Sequence, residues 1–252
     1  MKVISIINLK GGVAKTMSSI NIAHILATIH NKKVLIIDND KQGNTTKFFD
    51  MHSESDLSIA EIMTNRNIEL EEVIKQTKYK NLDIIPANMK LLRANLDVIM
   101  DMSRPQQTRL KKALEQIEGE YDYCIIDNPP DINISVINAL VASNDVLIPI
   151  KIDKFSFDGM NELIEQIENA KEMNPRLNLK GCFVTLFAKN DVNVQGEQLL
   201  NSDKKYSMFK THIRRTVKAD ESTFTNIPLL EYSKRCGATK DYIALVEEYL
   251  NK

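Results

Sequence analysis

The chain has no tryptophan, and only three cysteines, eight glycines and seven prolines among 252 residues. Cys124, Cys182 and Cys236 are an odd number without close spacing, which excludes a disulfide framework and a CxxC metal site; buried reduced thiols are the plain reading. No stretch approaches the ~20 apolar residues of a membrane span, and the N-terminus runs into a strand-like segment in place of a secretory signal. A cytoplasmic protein is expected. No excess of one charge exists either, with 33 Lys+Arg against 34 Asp+Glu and a net charge of −1, so any binding to nucleic acid needs a local basic patch. The 43% hydrophobic and 27% charged content is that of a folded protein, and the length suits one α/β domain over residues 1–252.

Apolar runs that begin with β-branched residues recur along the chain, and the segments between them carry helical spacing. Strands are expected at 3–7, 34–37, 82–86, 123–126, 146–150 and 182–187. Their continuous hydrophobicity predicts an α/β fold, a mostly parallel twisted sheet with helices on both faces. In the first crossover Ile20, Ala23 and Ala27 share one face, widened by Ile22, Ile25 and Ile29, which predicts a helix over 17–30 with Asn31 as its stop. Further helices are expected at 59–64, 91–101, 108–117, 134–143, 158–173 and 239–250. Residues 189–205 are mostly polar and are expected to decorate the sheet edge. Between positions 204 and 240 stand nine Lys/Arg and three acids, a net of +6, which leaves −7 for the remainder.

Directly after the first strand comes Asn8-Leu9-Lys10-Gly11-Gly12-Val13-Ala14-Lys15-Thr16. At that position backbone N–H groups curl around an anion and the positive end of the helix dipole faces it. Lys15 would reach the β- and γ-phosphates of a nucleotide, and the Thr16 hydroxyl would bind Mg²⁺. The strict G-x-x-x-x-G-K-[ST] pattern fails, since its two glycines fall at Leu9 and Ala14. That pattern alone leaves two readings open, a nucleotide loop or a Gly-Gly turn with lysines in solvent. The second strand runs into Asp38-Asn39-Asp40-Lys41-Gln42-Gly43-Asn44, and the run Tyr123-Cys124-Ile125-Ile126 ends in Asp127-Asn128-Pro129-Pro130. Both segments place carboxylates at the C-terminal ends of parallel strands; the first reads by its residues alone as a polar turn after a strand, and the second is a Walker B arrangement that suits a hydrated Mg²⁺ beside a phosphate.

Lys10 through Thr16 resembles the K-G-G-x-x-K-[ST] loop of the deviant Walker A partitioning ATPases, the family of the ParA/Soj and MinD proteins. The resemblance implies an ATPase with ATP and Mg²⁺, its nucleotide held by Lys10, Gly11, Gly12, Val13, Ala14, Lys15, Thr16 and Met17. It implies that Lys10 crosses a homodimer interface to the phosphates of the opposite subunit, so that ATP binding and dimerisation are one event. By the same carry-over Asp40 orients the attacking water, Thr16, Asp38 and Asp127 serve the metal, and Asp127-x-Pro129-Pro130 is the switch. Three departures bear on the loops: Ala14 replaces a glycine, a change that costs little if its φ is negative; Met17 replaces a hydroxyl residue; Lys41 replaces a proline.

The segments 82–88, 183–187 and 213–218 resemble the Soj-like branch, with Arg214 in place of a proline near the adenine. That branch implies a nucleoid-associated protein for plasmid or chromosome segregation. It would bind DNA nonspecifically through Arg215 and Lys218, with Lys210, Lys234 and Arg235 behind them, and a ParB-like partner would stimulate hydrolysis. A start at Val3 implies the short form without an operator-reading domain. The alternatives are a MinD-like membrane ATPase, which Glu247 and Glu248 in the last helix oppose, and a scaffold that hydrolyses ATP weakly.

Overall fold

A computed structural model describes residues 1–153, 158–203 and 205–252; Lys204 of the basic stretch lies outside the described residues. The strands are β1 (Lys2–Ile6), β2 (Val34–Asp38), β3 (Lys75–Gln76), β4 (Leu82–Ile85), β5 (Tyr123–Asp127), β6 (Asp145–Lys151) and β7 (Asn178–Thr185). They form one sheet in the order β3-β4-β2-β5-β1-β6-β7, parallel except for the short edge strand β3. The helices are α1 (Lys15–Thr28), α2 (Asn44–Phe48), α3 (Ile59–Thr64), α4 (Leu70–Val73), α5 (Lys90–Met100) and α6 (Arg109–Leu114). They continue with α7 (Ile134–Ala142), α8 (Asp158–Met173), α9 (Asp191–Ser202), α10 (Val217–Thr225), α11 (Leu229–Tyr232) and α12 (Gly237–Asn251).

Successive strand residues point to opposite faces, and that alternation divides the core. Val34 and Ile36 of β2 join the cluster that holds Ile22 and Leu26 of α1 and Leu245 and Val246 of α12. Leu35 and Ile37 join the opposite cluster with Ile59, Leu91, Leu110 and Ile126. Buried on both sides, β2 has no polar alternation to display, as its apolar run requires. α1 is likewise enclosed, with every residue from Ser18 to Ala27 buried between the sheet, α11 and α12. It closes at Thr28, two residues before the expected end, and Asn31 follows in a left-handed conformation at φ 50°.

The expected elements all form, with shifted ends: β6 and β7 start earlier than their apolar runs, and α6 finishes in a 3₁₀ turn at Glu115–Ile117. Five helices had no apolar signal long enough to announce them: α2, α4, α9, α10 and α11. α9 occupies the polar stretch expected as edge decoration and buries Leu200 alone. Its Gly196 lies so close to Ile152 that a Cβ there would overlap the isoleucine, so the glycine seats α9 against the end of β6. The chain after α9 then runs as an irregular edge beside β7, with bridges Cys182–Met208 and Phe187–Arg214.

Candidate nucleotide site

The loop between β1 and α1 is pinned by its neighbours. Asn8 donates from Nδ2 to the Pro149 carbonyl at 2.8 Å and accepts the Lys10 N–H at 2.9 Å. From β7, the Thr185 hydroxyl donates to the Val13 carbonyl at 3.0 Å. Gly12 has φ 69°, which a glycine adopts freely. Ala14 is the N-cap of α1 and has φ 62°, ψ 32°. This corrects the expectation of a cheap substitution, because an L-residue in the left-handed region carries a cost of about 1–2 kcal/mol that glycine avoids. The same backbone turn that aims the loop amides is the source of the positive φ.

Lys15, Thr16, Gly11, Gly12, Ala14 and Met17 line a cavity of about 650 Å³ together with Asp40, Asn128 and Asp131. A Cβ built on Gly11 or Gly12 meets no protein atom, so the room these glycines leave is open to a ligand. The Lys15 amine donates to the Lys10 carbonyl at 2.8 Å, which spans the mouth of the loop. Burial lowers the Lys15 pKa, against the opposing pull of Asp127, Asp40 and Asp131. Gly12, Ala14 and Met17 also line a second cavity of about 230 Å³, closed by Leu186, Ile213, Asp220 and Tyr242. Met17, where the family has a hydroxyl, thus walls both chambers with a thioether. Arg214 lines this chamber too, but its guanidinium grips Asp241 at 2.8 and 2.7 Å and donates to the Gly237 carbonyl at 3.3 Å.

Below the loop the carboxylates separate by environment. β2 and β5 set Asp38 and Asp127 in register on adjacent strands, both buried. Asp38 accepts the Thr46 N–H and hydroxyl at 2.8 and 2.7 Å and the Asp40 N–H at 3.1 Å. Asp127 accepts the hydroxyls of Ser19 at 3.0 Å and Thr45 at 2.7 Å, and that of Thr16. Burial raises the pKa of both, and burial with the Asp127 charge pushes Asp38 up to about 7. Between them Asn39 donates to Asn128 at 2.9 Å and leaves its own Oδ1 buried without a partner. Two buried carboxylates with raised pKa, a threonine hydroxyl and an orphaned acceptor fit a hydrated divalent cation. Among the described residues no group of three or more His, Cys, Asp or Glu could hold a metal alone, so such a cation would share its shell with phosphate oxygens.

Of the expected site residues, Lys10, Val13, Asp38 and Asp127 do not line the cavity. Val13 is buried, and the Lys10 amine pairs with Asp153, just beyond β6. The DNA candidates divide as well. Arg215, Lys234 and Arg235 are exposed, and Lys218 pairs with Glu221 at 2.7 Å with its amine 5.8 Å from the Tyr232 ring. The basic stretch is therefore less positive than its own acids suggest, because Asp241 beyond its end neutralises Arg214. Lys210 has its N–H bound to Glu248 of α12. Sequence reasoning missed Asn39, Asn128, Asp131, Thr45, Thr46 and Asp153. Asn39 and Asn128 had a signal, since each follows a strand-terminal aspartate; Asp153 had none, because it meets Lys10 only through the pairing of β1 with β6.

A parallel sheet with a glycine loop between the interior strand β1 and a buried helix, and with acids at the ends of β5 beside it and of β2 beyond, defines a P-loop nucleotide-binding protein. A family profile described as "AAA domain" matches residues 1–179. The sporulation initiation inhibitor protein Soj of Bacillus subtilis is 34% identical over 253 residues, covering 98% of this chain and 97% of Soj. The chromosome partitioning protein ParA of Caulobacter vibrioides is 28% identical, covering 100% and 95%. A solved plasmid partition protein from Borrelia burgdorferi bound to AMPPNP superposes with a TM-score of 0.79 at 26% identity, over 99% of this chain and 97% of that one. The chain belongs to the ParA/Soj-type partitioning ATPase family of the ParA/MinD superfamily.

Two measurements test this geometry. Ala14→Gly removes the left-handed alanine and should raise the unfolding free energy by about 0.5–1 kcal/mol in urea titration; a loss of stability would place the strain elsewhere. For Asp38, the folded value near 7 exceeds the ordinary 3.8. Between them the folded chain keeps a proton that the unfolded chain has released, so this group makes stability fall as pH rises from about 4 to about 7. Asp38→Asn should remove that part of the slope in urea midpoints taken across this range, and an unchanged slope would assign the proton to another group.

Proposed function

We propose that residues 1–252 act as a single ATP-dependent partitioning ATPase: the chain binds ATP with Mg²⁺, closes into a homodimer, coats DNA without sequence preference, and hydrolyses ATP when a ParB-like centromere-binding partner engages it. The observation that carries this reading is the division of labour between two lysines. Lys15 lies in its own phosphate cavity, whereas Lys10 is turned out of it onto Asp153. A cation held on an acid outside its own pocket can trade that acid for the phosphates of a second copy. Exchange of Asp153 for a partner's phosphates would link nucleotide to dimer.

In the closed state the loop amides and Lys15 bind the phosphates, and the smaller chamber takes the base against Met17 and Tyr242. Thr16 and Asp127, the latter through water, would hold the metal, with Asp38 behind them; when bound, Mg²⁺ neutralises charge on the phosphate oxygens. Asp40, on the cavity wall, orients the water for in-line attack. The buried register of Asp38 and Asp127 would sense the metal and pass its presence to Asn128-Pro129-Pro130 through the Asn39–Asn128 bond. On the outer surface Arg215, Lys234 and Arg235, joined by Lys218, would meet DNA phosphates in a salt-dependent, sequence-blind manner. α12 buries Tyr242, Leu245, Val246 and Tyr249, and no helix among the described residues is long and apolar enough to cross a membrane. Its apolar face is thereby committed to packing and not available for lipid, which favours the DNA reading over the MinD-like one.

Lys15→Gln should abolish ATP binding, whereas Lys10→Gln should bind ATP as a monomer and give no ATP-dependent dimer in light scattering. Normal dimerisation of Lys10→Gln would refute the trans role. Arg215→Glu with Arg235→Glu should lower DNA retention at least tenfold and reduce the salt slope by about 2, while Lys218→Glu alone has the smaller effect because Glu221 already holds it. Equal losses in filter binding would show that the ion pair does not matter to the patch.

A further inference from the structure

α5 carries two apolar stripes. Leu91, Ala94 and Val98 are buried in the core cluster on that face of the sheet, where α5 packs against α3 and α7. On the other side Leu92, Leu96 and Ile99 follow at i, i+4 and i+7 and stand 47%, 54% and 53% exposed. Met89 and Met100 extend the stripe to about 100° of the helix surface, and Met102 follows it at 86% exposure. A continuous exposed patch of this kind marks an interaction surface, and its methionines adapt to a partner's shape.

The end of the stripe meets a cluster of cations. Arg66, Arg104, Arg109 and Lys112 line one cavity of about 120 Å³. Asp101, the residue after α5, is the acid among them: Arg109 donates to it at 2.9 Å and Arg104 at 3.3 Å. Arg66 reaches Ser103, and Gln106 donates to the Ile99 carbonyl at 2.7 Å, which ties the cluster to the stripe. Ser103 and the arginines hold the Asp101 carboxyl well below the usual range. Four cations against one carboxylate leave a net charge of +3 at one end of the apolar face. Arg109 is buried and fixed by the carbonyls of Met63 and Pro105, while Arg66 and Lys112 are exposed.

We propose that the outer face of α5 docks an amphipathic helix of another protein, whose apolar side covers Leu92, Leu96, Ile99 and Met100 and whose acidic end enters the Arg66–Arg104–Lys112 cluster. The charge complementarity is confined to one end, which sets the direction of the docked helix. A lipid surface would call for cations along the whole stripe and aromatic residues at its edge. Here Lys90 is paired with Glu61 and Arg93 with Asp97, and the stripe has no aromatic residue. The patch shares no lining residue with either nucleotide chamber, so its failure would leave the ATPase reading untouched.

The test is a displayed library of helical peptides with apolar residues at i, i+4 and i+7 and all other positions random, selected on the full chain and counter-selected on Leu96→Ser/Ile99→Ser. Enriched peptides should carry Asp or Glu clustered at one end. In fluorescence anisotropy they should bind at least tenfold more weakly to Leu96→Ser/Ile99→Ser and to Arg66→Glu/Lys112→Glu, both of which retain parental ATP affinity. The proposal is overturned by no enrichment over the counter-target, by winners without acidic clusters, or by equal affinity for the charge variant. Leu96- and Ile99-dependent retention on vesicles containing about 30% phosphatidylserine would assign the face to a membrane. Self-association lost in the serine variant would assign it to a second copy; either result also overturns it.

Discussion

Two carboxylates side by side on adjacent parallel strands constrain everything around them. Asp38 and Asp127 cannot both be charged in a buried place without help. Four hydroxyls answer that demand from two helices, Thr45 and Thr46 from α2 and Thr16 and Ser19 from α1. Those bonds fix the short helix α2 under the loop and hold α1 against β5. They also bring Asp40 and Asn128 to the cavity wall, because each lies within two residues of a pinned aspartate. The raised pKa of the pair makes the site a place where a divalent cation is worth more than it would be in solvent.

Around that floor, the loop achieves its shape at a local cost. Ala14 sits in a left-handed conformation, held there by the Ser18–Ala14 hydrogen bond at the start of α1 and by Thr185 on the preceding carbonyl. The lysine pair then divides: Lys15 closes inward on the Lys10 carbonyl while the Lys10 side chain turns away to Asp153. A single loop thus presents one cation to its own cavity and one to its rim. Electrostatics alone would not separate them; the separation comes from the half-turn of backbone between Gly11 and Ala14.

Much of this was legible in the residues. β2 and β5 were visible because strands buried on both faces cannot alternate, and the P-loop was visible because glycines and a lysine follow such a strand directly. α9, α10 and α11 were not visible, since α9 buries only Leu200 and α10 only Ser222. Helices stabilised by caps such as Asn190 and Thr216 leave little hydrophobic period to read. The contacts of the basic stretch had no local signal either, since Asp241 and Glu248 lie outside residues 204–240 yet bind Arg214 and the Lys210 backbone.

What the sequence by itself determined is the chemistry available: a phosphate loop after a buried strand, acids at strand ends, and a layered α/β order, because each follows from residues near one another along the chain. What only the tertiary structure decided is which of those groups face the same space. Asp153 reaches Lys10 from 143 positions away, Asp38 is consumed by Thr46, Arg214 by Asp241, and the apolar stripe of α5 points outward from the core its other stripe joins. Partners distant along the chain are brought together by strand order and register, and neither is written in local spacing.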